Sequence, residues 1–140
     1  MMTTIRHISS LAVVLLLAGC AVLQPGGSPP QSSYNTAVVA LLDKAHGQVS
    51  AGQLEKASAS LERALRIEPR NPALWQELAR VRLGQGQYRQ AENLAAKSNA
   101  LSRGNKRMRA ENWRIIGQAR TKRGDIQGAQ AAFERAGREK

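Results

Sequence analysis

Cysteine, histidine, aromatic and acidic side chains are all scarce in this chain of 140 residues, and each scarcity removes a class of chemistry. A single cysteine, Cys20, leaves no disulfide to form within the chain. Of the two histidines, His7 and His46, the second lies inside a helical pattern with no other metal-ligand type at i+3 or i+4, so no metal site is expected. No serine or cysteine stands in a nucleophile motif, and no glycine-rich loop follows a strand; Gly84 and Gly86 flank a glutamine in a turn between helices. The chain is therefore not expected to be an enzyme, and no cofactor is implied. Aromatic residues are limited to Tyr34, Trp75, Tyr88, Trp113 and Phe133, while alanine and leucine dominate, a composition suited to helices packed closely on small residues. The longest apolar run, Ile8 to Leu17, is interrupted by two serines and falls well short of the roughly 20 residues needed to span a bilayer.

What is present begins with Arg6, the apolar run, and then Leu17-Ala18-Gly19-Cys20. A charged segment, an apolar segment and a small-residue site form the order of a secretory signal peptide. Leu-Ala-Gly-Cys in this position resembles the lipobox of bacterial lipoproteins. The resemblance implies a signal peptide over residues 1–19, cleavage before Cys20, and covalent lipid on the Cys20 thiol and amine. Residues 20–35 then form a tether. From Ala21 to Asn35 there are three prolines, two glycines and three serines without periodicity, and fifteen such residues reach about 45–50 Å when extended.

The chain has 21 Lys+Arg against 10 Asp+Glu, and loss of Arg6 with the signal peptide leaves a net charge of +10. In an exported lipoprotein no nucleic-acid partner is expected. The charge is either a solvated helix surface or a contact for anionic lipid, the cell-wall polymer or an acidic protein face.

From Thr36 onward the chain is helical in pattern and repeats itself. Gly52-Gln53-Leu54-Glu55-Lys56-Ala57 recurs as Gly86-Gln87-Tyr88-Arg89-Gln90-Ala91 and as Gly124-Asp125-Ile126-Gln127-Gly128-Ala129, at intervals of 34 and 38 residues. The glycine ends one helix in a left-handed turn, the apolar residue two positions later opens the next, and the alanine lets the pair approach closely. These residues, with Trp75, Leu78 and Ala79, with Trp113, Ile116 and Gly117, and with Pro69, resemble the tetratricopeptide repeat, a 34-residue helix–turn–helix. The resemblance covers 36–140 and implies an all-α solenoid of three repeats, about 38–71, 72–105 and 110–140. Six helices are expected, at roughly 36–51, 54–67, 72–84, 88–101, 106–123 and 126–139. The tryptophans are read as packing residues within their repeats. Glu62 and Arg66 stand at i, i+4 and are expected to pair.

The pattern has departures. Lys44 stands at a position that is usually apolar, and Ser98 at one that is usually alanine. Four extra residues around Lys106-Arg107-Met108-Arg109 either lengthen the fifth helix or loop out, and this basic cluster is either solvated or a contact for an acidic partner. The last helix, Gln127 to Lys140, is fairly polar and is expected to make a self-sufficient end.

By resemblance, the first helix of each repeat lines a concave groove. The matching positions include Leu42 and His46, then Gln76 and Arg80, then Glu111, Arg114, Gln118 and Lys122, with a cationic centre at Arg80, Arg114 and Lys122. The lysines and asparagines of the repeats that clamp a carboxylate terminus are absent here, where Leu42, His46 and Glu77 stand instead. Leu65 to Pro72, Gly86-Gln87-Tyr88 and Asn112-Trp113-Arg114 resemble the small repeat-containing lipoproteins that activate a bifunctional penicillin-binding protein. That resemblance implies a monomeric, non-enzymatic, lipid-anchored binding module facing the periplasm from the outer membrane, which the absence of aspartate after Cys20 also favours. Two other readings remain: a pilotin-like assembly factor for an envelope complex, and a basic structural lipoprotein binding peptidoglycan or anionic lipid.

Overall fold

The computed structural model describes residues 35–139. The expected signal peptide, Cys20 and the expected tether up to residue 34 lie outside the described residues. Six helices follow in order: α1 (Thr36–Ser50), α2 (Leu54–Ile67), α3 (Pro72–Gly84), α4 (Tyr88–Leu101), α5 (Lys106–Lys122) and α6 (Ile126–Arg138). They stack as three antiparallel hairpins, α1–α2, α3–α4 and α5–α6, each packed on the next through α2 on α3 and α4 on α5. Each observed boundary lies within one residue of the sequence expectation.

The turn inside every hairpin is built on the recurring glycine. Gly52, Gly86 and Gly124 have φ of +71°, +75° and +81°, a left-handed backbone that a Cβ disfavours. Four residues after Gln53, Gln87 and Asp125 come the alanines at the points of closest approach: Ala57 and Ala91 are fully buried and Ala129 nearly so.

The first helix of each hairpin starts on an asparagine. Asn35, Asn71 and Asn105 accept hydrogen bonds from the backbone N–H of Ala37, Ala73 and Met108. Each satisfies a donor that has no partner within the helix. Proline at the first position of α3 has no N–H to lose there. The four extra residues lengthen α5, at 17 residues the longest helix. Its added turn carries Arg109, whose Nε and Nη2 donate to Glu139 at 2.9 and 2.6 Å and tie the start of α5 to the end of α6. Hydrogen bonds from Arg109 hold the Glu139 carboxyl below its ordinary range, and the same contact raises Arg109 above its own.

The core falls into two clusters that share α3. Leu74, Leu78 and Val81 of α3 join Val38 and Ala45 of α1 and Leu61 and Leu65 of α2. Ala79 of α3 joins Ala91 and Ala95 of α4, Ile115, Ile116 and Ala119 of α5, and Ala132 of α6. Between repeats two and three runs a buried polar chain. Gln76 Nε2 donates to Asn112 Oδ1 at 2.9 Å, Asn112 Nδ2 to Ser98 Oγ at 2.8 Å, and Ser98 Oγ to the Pro72 carbonyl at 2.8 Å. Ser98 therefore departs from alanine for a reason: it bridges α4 to the start of α3.

Three expectations are corrected. Glu62 pairs with Arg82 of α3 at 2.5 Å rather than with Arg66, since a pair within one helix stabilises by only about 0.2–0.5 kcal/mol and a neighbouring helix offers a better-placed guanidinium. The last hairpin is less polar outside than expected: Ile126 is 64% and Phe133 43% exposed. Of the tryptophans, Trp113 packs within its own repeat, whereas Trp75 reaches back to repeat one and its cluster. Trp75 Nε1 donates to the Pro69 carbonyl at 2.8 Å, and Trp113 lies under Arg135, 4.8 Å from ring centre to guanidinium carbon. Among the described residues no helix is long and apolar enough to cross a membrane.

Candidate partner-binding groove

Side chains on α1, α3 and α5 meet in one row across the first helices of the three repeats. His46 Nε2 of α1 lies 3.7 Å from Glu77 Oε2 of α3. Glu77 Oε1 accepts from Arg80 Nη1 at 3.1 Å. Arg80 Nη2 lies 3.8 Å from Glu111 Oε2 of α5, and Glu111 Oε1 accepts from Arg114. The order along the row is imidazole, carboxylate, guanidinium, carboxylate, guanidinium. Helical spacing produces it: Glu77 and Arg80, like Glu111 and Arg114, stand three apart and share a helix face.

This row corrects the expected cationic centre. Arg80 and Arg114 are there, but Glu111 stands between them and Glu77 on the other side of Arg80, and the row alternates carboxylate with guanidinium. Glu77, noted in the sequence only as a departure from a carboxylate-clamping pattern, is the carboxylate that lies between His46 of α1 and Arg80. Its spacing to Arg80 was the signal that could have placed it in the groove.

The other anticipated groove residues divide. Gln118 and Lys122 are exposed further along α5. Leu42 is half-buried against the first cluster. Gln76 is buried, with its amide committed to Asn112 and to the Met108 carbonyl, because it faces the α3–α5 seam rather than solvent. Beside Arg80, a recess of about 280 Å³ is lined by Gln76, Arg80, Asn105, Arg107, Met108 and Glu111. Among the described residues, no group of three or more histidine, cysteine or carboxylate side chains converges to hold a metal ion.

Such a row can serve recognition. Exposed ion pairs contribute only about 0–1 kcal/mol each, so a partner's charges can replace them at little cost. Charge order then selects register and partner more than it supplies affinity.

The fold and this row can be set beside known proteins. Residues 48–110 match the model for the tetratricopeptide repeat. The globular C-terminal domain of P. aeruginosa LpoP is 44% identical, with a TM-score of 0.71; the alignment covers 72% of this chain and 95% of that domain. The N-terminal domain of stress-induced protein-1 from C. elegans is 20% identical, with a TM-score of 0.71, over 78% of this chain and 88% of that one. The second repeat domain of Spaghetti (RPAP3), bound to the HSP90 peptide SRMEEVD, is 21% identical, with a TM-score of 0.66, over 74% of this chain and 93% of that one. The last two likenesses are of fold alone. Comparison with curated protein sequences gives no match.

Proposed function

The chain belongs to the tetratricopeptide repeat family, as an LpoP-type domain, and on that footing we propose that it is a non-enzymatic activator of a bifunctional penicillin-binding protein. The observation that carries this reading is the 44% identity to the LpoP globular domain across 95% of that domain. The groove is the binding face. The row from His46 to Arg114 reads a segment of the synthase with complementary alternating charge, and activation follows if that segment is presented only in the synthase's active state. Cys20 carries the lipid, the tether spans the distance from the outer membrane, and the domain works in the periplasm. Leu17-Ala18-Gly19-Cys20 supports this placement.

The test uses the compact unit Ser33–Lys140. Purified synthase is captured on the immobilised domain, and glycan polymerisation is followed with and without it. Capture with a faster polymerisation rate supports the reading; no capture and an unchanged rate overturn it.

A further inference from the structure

The turns that join one hairpin to the next lie together on one edge of the stack. Ser98, near the end of α4, donates to the Pro72 carbonyl at the start of α3 at 2.8 Å. Gln76, in the next turn of α3, donates to the Met108 carbonyl at the start of α5 at 3.3 Å. The α2–α3 and α4–α5 turns are therefore neighbours. Arg66, Arg70, Arg103, Lys106 and Arg107 lie at this edge, all exposed. Arg66, Arg70, Arg103 and Arg107 have no carboxylate partner among the described residues. The nearby carboxylates are engaged, Glu68 by Asn71 and Glu139 by Arg109.

The opposite edge is also rich in arginine, and there three of the guanidinium groups are held by carboxylates. Arg120 and Arg123 share Glu92 at 2.5 and 2.8 Å, and Arg82 is held by Glu62. Four exposed arginines without a carboxylate partner among the described residues thus gather at two neighbouring turns.

Arg103 adds a second observation. Its φ is +32°, the one positive value at a described residue other than glycine. A side chain in that region is strained, and glycine would relieve the strain. The turn instead holds a guanidinium there, facing solvent. Ile67, 42% exposed, follows Arg66 directly and gives the edge an aliphatic contact among its cations.

The third observation is connectivity. α1 begins at Thr36, beside the end of its antiparallel partner α2, so the residues before Asn35 join the domain at this same edge. We propose that this edge seats the domain on an anionic lipid surface, with the tether leading to that surface. Diffuse unpaired cations beside one aliphatic side chain suit a headgroup layer, which presents charge without shape. A tether joined at the same edge raises the effective concentration of that surface there. The groove on α1, α3 and α5 stays free for a protein partner. The inference rests on the tethered reading above, but its test does not require the lipid.

Unit Ser33–Lys140, without lipid, is floated with vesicles of phosphatidylcholine alone or with added phosphatidylglycerol, at low and high salt. Binding is expected only with phosphatidylglycerol and is expected to fall with salt. Replacing Arg66, Arg70, Arg103 and Arg107 with glutamine is expected to weaken it several hundredfold, at about fivefold per charge. A matched variant removes the same charge elsewhere, at Lys44, Lys56, Arg63 and Arg89, and is expected to keep most of the binding. Arg103→Gly is expected to weaken binding about fivefold without lowering Tm, which separates the side chain's role from folding. Equal losses from the two fourfold variants, pelleting with cell-wall sacculi but not with vesicles, or no affinity for phosphatidylglycerol would each overturn the proposal. The mass of the exported chain reports separately on Cys20. A chain found without lipid whose domain still binds vesicles through this edge would leave the inference standing and remove only the anchor.

Discussion

Arg109 and Glu139 close the third hairpin at its open end, with two parallel hydrogen bonds of 2.9 and 2.6 Å between a guanidinium and a carboxylate. Folding lowers the Glu139 pKa, so its contribution to stability is present above the unfolded carboxylate value, about 4.3, and is lost as pH falls through the lower folded value. The Glu139→Gln variant is expected to melt slightly below the parent at neutral pH. The gap should vanish in acid, where both chains lack the charge. Thermal melts at a series of pH values check this, and a gap that persists in acid would refute it.

Asn112 is fully buried and serves two partners, accepting from Gln76 and donating to Ser98. Asn112→Ala leaves a buried amide and a buried hydroxyl without that partner as well as a small void. A loss of about 2–4 kcal/mol is expected, measured by urea unfolding.

Two glycine substitutions should have opposite signs. Gly47 lies inside α1, with nothing within 4 Å of a Cβ placed there, so Gly47→Ala should stabilise by about 0.5–1 kcal/mol. Gly86 holds φ at +75°, so Gly86→Ala should cost about 1–2 kcal/mol. Denaturant midpoints of the two variants are compared with the parent.

Reversal of one charge in the groove tests partner recognition directly. Arg80 is 45% exposed and lies between two carboxylates. Arg80→Glu should change stability by less than about 1 kcal/mol. It should weaken capture of the synthase at least tenfold, by about 1.4 kcal/mol or more. Loss of binding without loss of fold supports the groove as the docking face, whereas unchanged binding moves it elsewhere.

Cys20→Ala should leave the helical domain folded and release the protein from membranes washed at high salt, which screens the basic edge. Fractionation of cells expressing each form, with mass analysis of the parent for acyl groups, checks the anchor.

The architecture was legible because its signals are local and repeated. Gly52, Gly86 and Gly124 mark turns that need a left-handed residue, and Ala57, Ala91 and Ala129 mark close approaches; both recur with the repeat. Asn35, Asn71 and Asn105 belong to the same class of signal and fit the usual preference at a helix start, but asparagine is common enough in loops that its recurrence marks the repeat less sharply than glycine does. The charge partners were not legible in the same way. Glu62 had Arg66 at i+4 but turned to Arg82, twenty residues on, since a weak local preference yields to any better geometry between helices. Gln76 had the period of a groove residue, but it faces Asn112 across a seam whose width depends on how the hairpins stack. The role of the 106–109 insertion likewise depended on Glu139, thirty residues from Arg109.

α3 contributes to both hydrophobic clusters and also carries Glu77 and Arg80. The centre of the groove thus stands on a helix braced from both sides. Amide exchange is expected to be slowest there, with the outer hairpins opening first. A partner that docks at Arg80 meets a surface already ordered, so little conformational entropy is lost on this side of the complex. Strain imposed at that point reaches the hairpins on either side through a single rigid rod.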